Sequence, residues 1–364
     1  MRLSRRTFLK LALLLHLPTA AKAITQRQNL FVNGHIDSAG THFISGFDSS
    51  GHESFRLPLP DKAHGFAVDP NKPNRIIALP TLPGTHAVAL NILDGKQLAV
   101  IKSRPGRHFY GHACFSPDGR FLFTSENIIA SAEGIITVRD GRDFQFLREL
   151  PGHGIGPHDI RMLPDGVTLV VAGGGLRTHP DSGKRELNIN TMQSALLFID
   201  SRSGKLLARR ETPNAQLSIR HLDVGQNGEV LLACQYKGKK QMPKLVGLQH
   251  GEGEIEMLDI DDDHLWGLRN YTASARIASN GVAAVTCPRG DQLTFWDLQQ
   301  KRFIKAIEIE DVGGIEVSAE GSSFIVSANV GELYWIDAKS LEAKRMKGNW
   351  KNAKWTNHMA RSFV

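Results

Sequence analysis

His112-Ala113-Cys114-Phe115-Ser116-Pro117-Asp118-Gly119-Arg120-Phe121-Leu122-Phe123-Thr124 reads as a short apolar strand, a tight turn and a second apolar strand. Pro at the second turn position and Gly at the fourth suit a type I turn, and the Asp carboxylate can hydrogen-bond the local backbone. The phrase returns along the chain, and a histidine often stands at its head. A two-strand unit that recurs points to a repeat architecture, so repeats are traced before any other fold is weighed.

Aligned on the turn glycine, His64, His112, His221, Ser274 and Gly314 fall at matching strand starts, with His158 one residue out of register. The spacings from 64 to 112, 158, 221, 274 and 314 are 48, 46, 63, 53 and 40 residues. Each unit continues with further strands, such as Arg75 to Leu79 and His86 to Asn91 in the first, or Leu293 to Asp297 in the fifth. The last unit is incomplete: Asn357 to Val364 supplies one opening strand and the chain ends. The missing strands stand at the front, at Asn29 to Val32, Thr41 to Phe47 and Glu53 to Leu57. A carboxy-terminal inner strand completed by amino-terminal outer strands closes a ring and removes the open sheet edge. The expectation is an all-β, seven-bladed β-propeller in which no four-stranded blade can bury both its faces alone. A large β-sandwich would explain neither the repeated phrase nor the split last unit. Helix is nearly absent, because apolar residues rarely recur at three- and four-residue spacing.

The formal charge of +7 belongs mostly to the first 23 residues, where Arg2, Arg5, Arg6, Lys10 and Lys22 stand without acids. The remaining body carries 7 − 5 = +2, a balance that argues against a nucleic-acid binder. Ser4-Arg5-Arg6-Thr7-Phe8-Leu9-Lys10 matches the twin-arginine export motif, and a short apolar run leads to the cleavage signal Ala21-Lys22-Ala23. Residues 1–23 are therefore expected to be a removed signal and residues 24–364 a single propeller domain working in the periplasm. No other apolar run is long enough for a membrane helix. Cys114, Cys234 and Cys287 form no CxxC pair. Cys234 and Cys287 end apolar strands and read as buried thiols, with a disulfide between them left open.

In a propeller the first strand of every blade lines the axis. His64, His112, His158, His221 and His358 would then come from five blades and converge at one mouth of the channel. Clustered neutral imidazoles suit copper, iron or zinc. Candidates for completing the shell are His108, Glu126, Arg220 and Met359, with Met biasing toward copper and a carboxylate toward iron. Two alternatives stand beside metal binding. One is a structural network, since Gly111-His112 and Trp296-Asp297 are pairs that can hydrogen-bond within propeller blades; the other is a pocket for an organic ligand. The Trp-Asp blade begins with Ser274, however, so the members of one network are not found together. The other histidines, among them His35, His153 and His264, read as solvated or capping. Asp261-Asp262-Asp263 reads as a solvated acidic turn, and no nucleophile elbow or phosphate cradle is present.

With the export motif, the seven units, His158-Asp159-Ile160, His221-Leu222-Asp223 and Asn357-His358-Met359 in view, the mature chain resembles a family of exported seven-bladed propellers designated domain of unknown function 1513, within the YVTN/WD40-like propellers. Genes of that family sit beside imelysin-like periplasmic proteins and a di-haem oxidoreductase. The resemblance implies an accessory role in iron acquisition, with imelysin-like or haem-containing proteins as partners and iron or copper as the ion. It supplies no catalytic residues. More loosely, His64-Gly65-Phe66-Ala67-Val68 and Gly156-Pro157-His158 resemble strand openings of lactonase-like propellers and of propeller oxidoreductases that hold copper on axial histidines. A metal-dependent oxidoreductase and a protein-interaction scaffold with structural histidines therefore stand as the alternatives to a non-enzymatic metal binder.

Overall fold

A computed structural model describes residues 29–183, 185–239 and 241–363. The expected export signal, residues 1–23, lies outside the described residues. Seven four-stranded antiparallel sheets follow one another around a ring. Their innermost strands are Ala63–Val68, Arg107–Phe115, Pro157–Met162, Leu217–Val224, Ser274–Ile277, Val312–Val317 and Lys354–Phe363. We number the blades 1 to 7 in that order. Each inner strand packs against the inner strand of the next blade, and that of blade 7 against that of blade 1, so the ring is closed. No helix among the described residues is long and apolar enough to cross a membrane.

The repeated turn does what its residues allow. Gly119 N–H donates to Ser116 C=O at 2.8 Å, and the Asp118 carboxylate accepts from Ser116 Oγ at 2.6 Å and Arg120 N–H at 3.0 Å. Gly119 sits at φ +65°, where a side chain costs energy. The third strands of several blades end in a second local device, an Asx turn. Asp140, Asp200 and Asp337 accept from the backbone N–H two residues on, at 2.8, 3.2 and 3.0 Å.

Blade 7 is split as the sequence implies. Asn29–Ile36 pairs antiparallel with Lys354–Phe363, with Val32 opposite Ala360 and Asn33 opposite Met359. His42–Phe47 and Glu53–Leu59 complete the sheet. The seam is also held by polar side chains. Asn33 Nδ2 donates to Ser327 Oγ at 2.9 Å, and Thr356 Oγ1 donates to Asn33 Oδ1 at 2.9 Å.

Apolar residues fill the spaces between blades, because both sheet faces must be covered by neighbours. Phe109, Leu122 and Ala113 of blade 2 pack with Ile77 and Ala89 of blade 1, and Phe295 of blade 5 with Phe324 and Val326 of blade 6. Cys234 and Cys287 are both free and buried in the cluster shared by blades 3, 4 and 5. The acidic run is structural rather than merely solvated: Asp261 caps the six-residue helix Asp262–Gly267 by accepting from His264 N–H at 3.1 Å.

Candidate metal centre

His64 and His158 stand second in their strands and Ser274 first, but the other aligned histidines do not stand at strand starts. In blades 2, 4 and 7 the strands begin at Arg107, Leu217 and Lys354, several residues before His112, His221 and His358. Each histidine sits at a break in register, a feature that blade 6 shares at Gly314 without a histidine. Pairing skips between Ala63 and Phe66, Phe109 and Ala113, Pro157 and Ile160, Ile219 and His221, and Trp355 and Met359. Each of the five histidines lies inside or at the edge of such a β-bulge. A regular strand sends alternate side chains to the two blade faces; a bulge re-aims one of them, here toward the axis. The bulges also account for the one-residue offset of His158.

The five rings meet on the axis. Going round the ring, centroids are 4.9 Å apart for His64–His112, 5.3 Å for His112–His158 and 4.9 Å for His158–His221. His221–His358 and His358–His64 follow at 4.4 and 4.5 Å. Distances across the ring are 5.3 Å for His64–His158, 6.1 Å for His64–His221, 5.5 Å for His112–His221 and 4.8 Å for His112–His358. In a flat pentagon the diagonals would be much longer than the sides. The rings are therefore stacked at different heights along the channel. The donor nitrogens fall into two triads, His64–His112–His358 and His112–His158–His221, each with its atoms within 4.8 Å of one another.

His112, His158, His221 and His358 are only 2–5 % exposed, and His64 is half-buried. Burial holds all four deep rings well below the usual imidazole pKa. Neighbouring rings and guanidinium groups push the same way, Arg220 most strongly at His158 and His64 most strongly at His112 and His358. Their neutral form is the one a metal ion requires. Two rings are oriented from behind. His112 Nδ1 lies 3.2 Å from Asp159 Oδ1, and His358 Nδ1 lies 3.2 Å from Ser274 Oγ. Asp159 is itself clamped: its carboxylate accepts from Ile160 N–H at 2.8 Å and from Leu222 N–H of the next blade at 3.0 Å, and Arg161 Nε stands 3.4 Å away. With those Nδ1 atoms engaged, Nε2 of His112 and of His358 is buried without a hydrogen-bond partner among the described residues, as is Nδ1 of His158 and of His221.

Glycines make room for this packing. A Cβ on Gly65 would come within 2.8 Å of His112 Nδ1, and one on Gly111, at φ +113°, would overlap His64 Cδ2. Beyond the ring, one mouth of the channel opens into a cleft of about 470 Å³ lined by Arg161, Asp223, Arg276, Glu316 and Arg361.

The four residues expected around the ring have different fates. Arg220 stands beside His158 and contributes positive potential rather than a donor atom. Met359 turns away from the channel and packs with Phe31, Phe47 and Trp355, since consecutive strand residues point to opposite sides. Glu126 is fully buried on the second strand of blade 2, where it accepts from Arg139 Nη2 at 2.9 Å and Thr124 Oγ1 at 2.8 Å. His108 Nδ1–H donates to Phe109 C=O at 2.9 Å, and the ring stacks on Tyr110 at 6.0 Å. Asp159 and Ser274 were not foreseen in their orienting role; only Asp159's place directly after His158 could have signalled it. Trp296 Nε1 donates to Thr294 Oγ1 at 3.0 Å and Asp297 accepts from Gln300 N–H at 2.8 Å, so this pair forms no network with a ring histidine. His35 is a correction. It is buried against Trp355 and Phe43, with its pKa lowered to about 4 by burial and then by Arg56.

No curated protein sequence matches the chain. Among solved structures, hydrazine synthase from Kuenenia stuttgartiensis is similar, with a TM-score of 0.59, 14% identity, and 85% of this chain and 93% of that chain covered. At that identity the likeness shows the propeller fold alone. The profile of the family described as "Protein of unknown function (DUF1513)" matches residues 57–362. That span takes in six inner strands, all but the last residue of the seventh, and the five axial histidines, and the chain belongs to the DUF1513 family.

Proposed function

We propose that this chain is a periplasmic, non-catalytic propeller that holds a transition-metal ion, iron or copper, on its axial histidines and serves as an accessory to iron acquisition. The observation that carries the reading is that His112, His158, His221 and His358 are buried, neutral imidazoles, each with one nitrogen that meets no hydrogen-bond partner among the described residues. Leaving one buried polar atom unsatisfied costs about 1–3 kcal/mol, so four around one point weigh against a purely structural network. An ion on the axis would satisfy them, and the His112–Asp159 and His358–Ser274 contacts are the outer-shell supports that metal-bound histidines commonly have.

With Met359 in the core and Glu126 paired to Arg139, the donor set is nitrogen alone. Such a set accepts both iron and copper, and the general affinity order favours copper. Iron is supported by the resemblance to propellers exported beside imelysin-like and haem-containing proteins, which are the proposed partners. Export through the twin-arginine pathway fits a protein that takes up its ion while folding in the cytoplasm.

The test is elemental analysis of the mature protein recovered from the periplasm, beside a His112→Gln/His158→Gln/His358→Gln variant, before and after loading with each ion. Stoichiometric iron or copper in the first and none in the second is expected. A wild-type protein that takes up no ion under any loading condition would refute the reading. Turnover of an electron donor by the loaded protein would move it to the oxidoreductase class.

A further inference from the structure

The geometry points to two overlapping three-histidine seats, hinged on His112, that share a single ion between them; this rests on the metal reading above. The donor nitrogens do not form one five-membered set. They divide into His64–His112–His358 and His112–His158–His221, with His112 common to both. The seats lie at different levels of the channel. His158 adjoins Arg220 and Tyr110, whereas His358 adjoins Ser274 and feels Arg276 and Arg161 from the charged mouth.

His112 decides the occupancy. Its Nδ1 stands 3.2 Å from the Asp159 carboxylate, while its Nε2 is buried without a hydrogen-bond partner among the described residues, which leaves Nε2 as the ligand atom. One imidazole nitrogen has one lone pair, so Nε2 bonds one ion at a time. Bridging two ions through both nitrogens would require His112 to become an imidazolate, an added negative charge that the buried Asp159 carboxylate 3.2 Å away disfavours. An ion can therefore sit in either seat but not in both. Passing from one seat to the other exchanges two ligands while the bond to His112 persists. The ring thereby becomes an axial relay for a borderline divalent ion, with His112 as its fixed point.

Cobalt(II) is the probe, titrated into the metal-free mature chain and read by calorimetry and by intact-mass measurement under native conditions. Wild type should take one cobalt per chain. His158→Gln and His358→Gln each spare one seat and should each still bind one ion, within about tenfold of the wild-type affinity. His112→Gln and the His158→Gln/His358→Gln double variant spare neither, and should lose more than about a hundredfold. Circular dichroism checks the fold of each variant; should His112→Gln fail to fold, the comparison of the two single variants with the double one decides. Two cobalt ions per wild-type chain would overturn the shared seat. So would unchanged binding by His112→Gln, or single variants as damaged as the double, which would mean one indivisible five-histidine site. A wild-type chain that binds no cobalt overturns the metal reading itself, and this inference with it.

Discussion

Gly111→Ala isolates the packing of the histidine cluster from ordinary backbone strain. Gly111 has φ +113°, and a Cβ there would overlap His64 Cδ2 and lie 3.2 Å from its Cγ. Forcing an L-residue into the left-handed region costs about 1–2 kcal/mol. Crowding a packed site with an added methyl costs about 1–3 kcal/mol more, giving a loss of about 2–5 kcal/mol in all. Gly228→Ala is the control, since Gly228 has φ +84° but nothing within 4 Å of the added atom. It should lose only the backbone share, about 1–2 kcal/mol. Urea midpoints of the metal-free proteins measure the difference. The cheapest relief of the clash at position 111 is rotation of His64 away from the axis, so in a His158→Gln background, where only the His64–His112–His358 seat remains, cobalt affinity should fall with Gly111→Ala and stay unchanged with Gly228→Ala. Equal stability losses together with unaltered cobalt binding would show that His64 does not pack on Gly111, and the ring geometry would have to be abandoned.

Acid should unfold the metal-free protein early. His112, His158, His221 and His358 are held neutral in the fold while the unfolded chain protonates near 6.5, so stability is present above that pH and is lost as pH falls below it. A drop from pH 7.5 to 5.5 should therefore lower the urea midpoint of the metal-free protein progressively. A urea midpoint that is flat over this range contradicts the assignment. His35→Phe removes a further group whose pKa is lowered to about 4; it should lose about 1 kcal/mol at neutral pH through the Ser45 hydrogen bond yet unfold less steeply between pH 6 and 4. Arg139→Met strands the fully buried Glu126 and should cost about 3–5 kcal/mol, whereas Arg139→Met/Glu126→Gln should cost less than Arg139→Met alone. Thermal melts of the two variants settle that order, and an additive loss would mean the pair is not coupled.

The fold was legible in the chain because its signals are local. The Ser116–Gly119 turn, the Asx turns and the apolar strands specify a blade from within a few dozen residues, and the split last blade follows from an unpartnered strand at each end. Repetition also placed the five histidines on inner strands. What the alignment could not supply was aim. Whether a side chain faces the axis or a neighbouring blade depends on bulges at Gly65, Tyr110 to His112, Arg220 and their counterparts, and a bulge leaves no fixed mark in sequence. Met359 and Glu126 were expected near the ring because they are close to it in sequence. Each went elsewhere for a reason of longer range: Met359 to an aromatic cluster and Glu126 to Arg139 on the next strand. His35 looked like a surface residue, and only the closure of blade 7 around Trp350 and Trp355 buries it.

The two blades without an axial histidine explain why there are five rather than seven. At blade 5 the position is Ser274, whose hydroxyl holds His358 Nδ1 and so turns Nε2 toward the axis. A histidine there would compete with His358 for the same space instead of supporting it. At blade 6 the position is Gly314, where a Cβ would press 2.6 Å from Ser327 Oγ and 2.8 Å from Asn33 Nδ2. Those atoms belong to the Asn33–Ser327–Thr356 network that ties the chain ends together. Closing the ring and loading it with ligands therefore make opposite demands on blade 6, and closure wins there. The histidines nonetheless close over that gap, His221 and His358 standing 4.4 Å apart across blades 5 and 6, the shortest separation among the five rings, so five imidazoles fill an axis that seven would overcrowd.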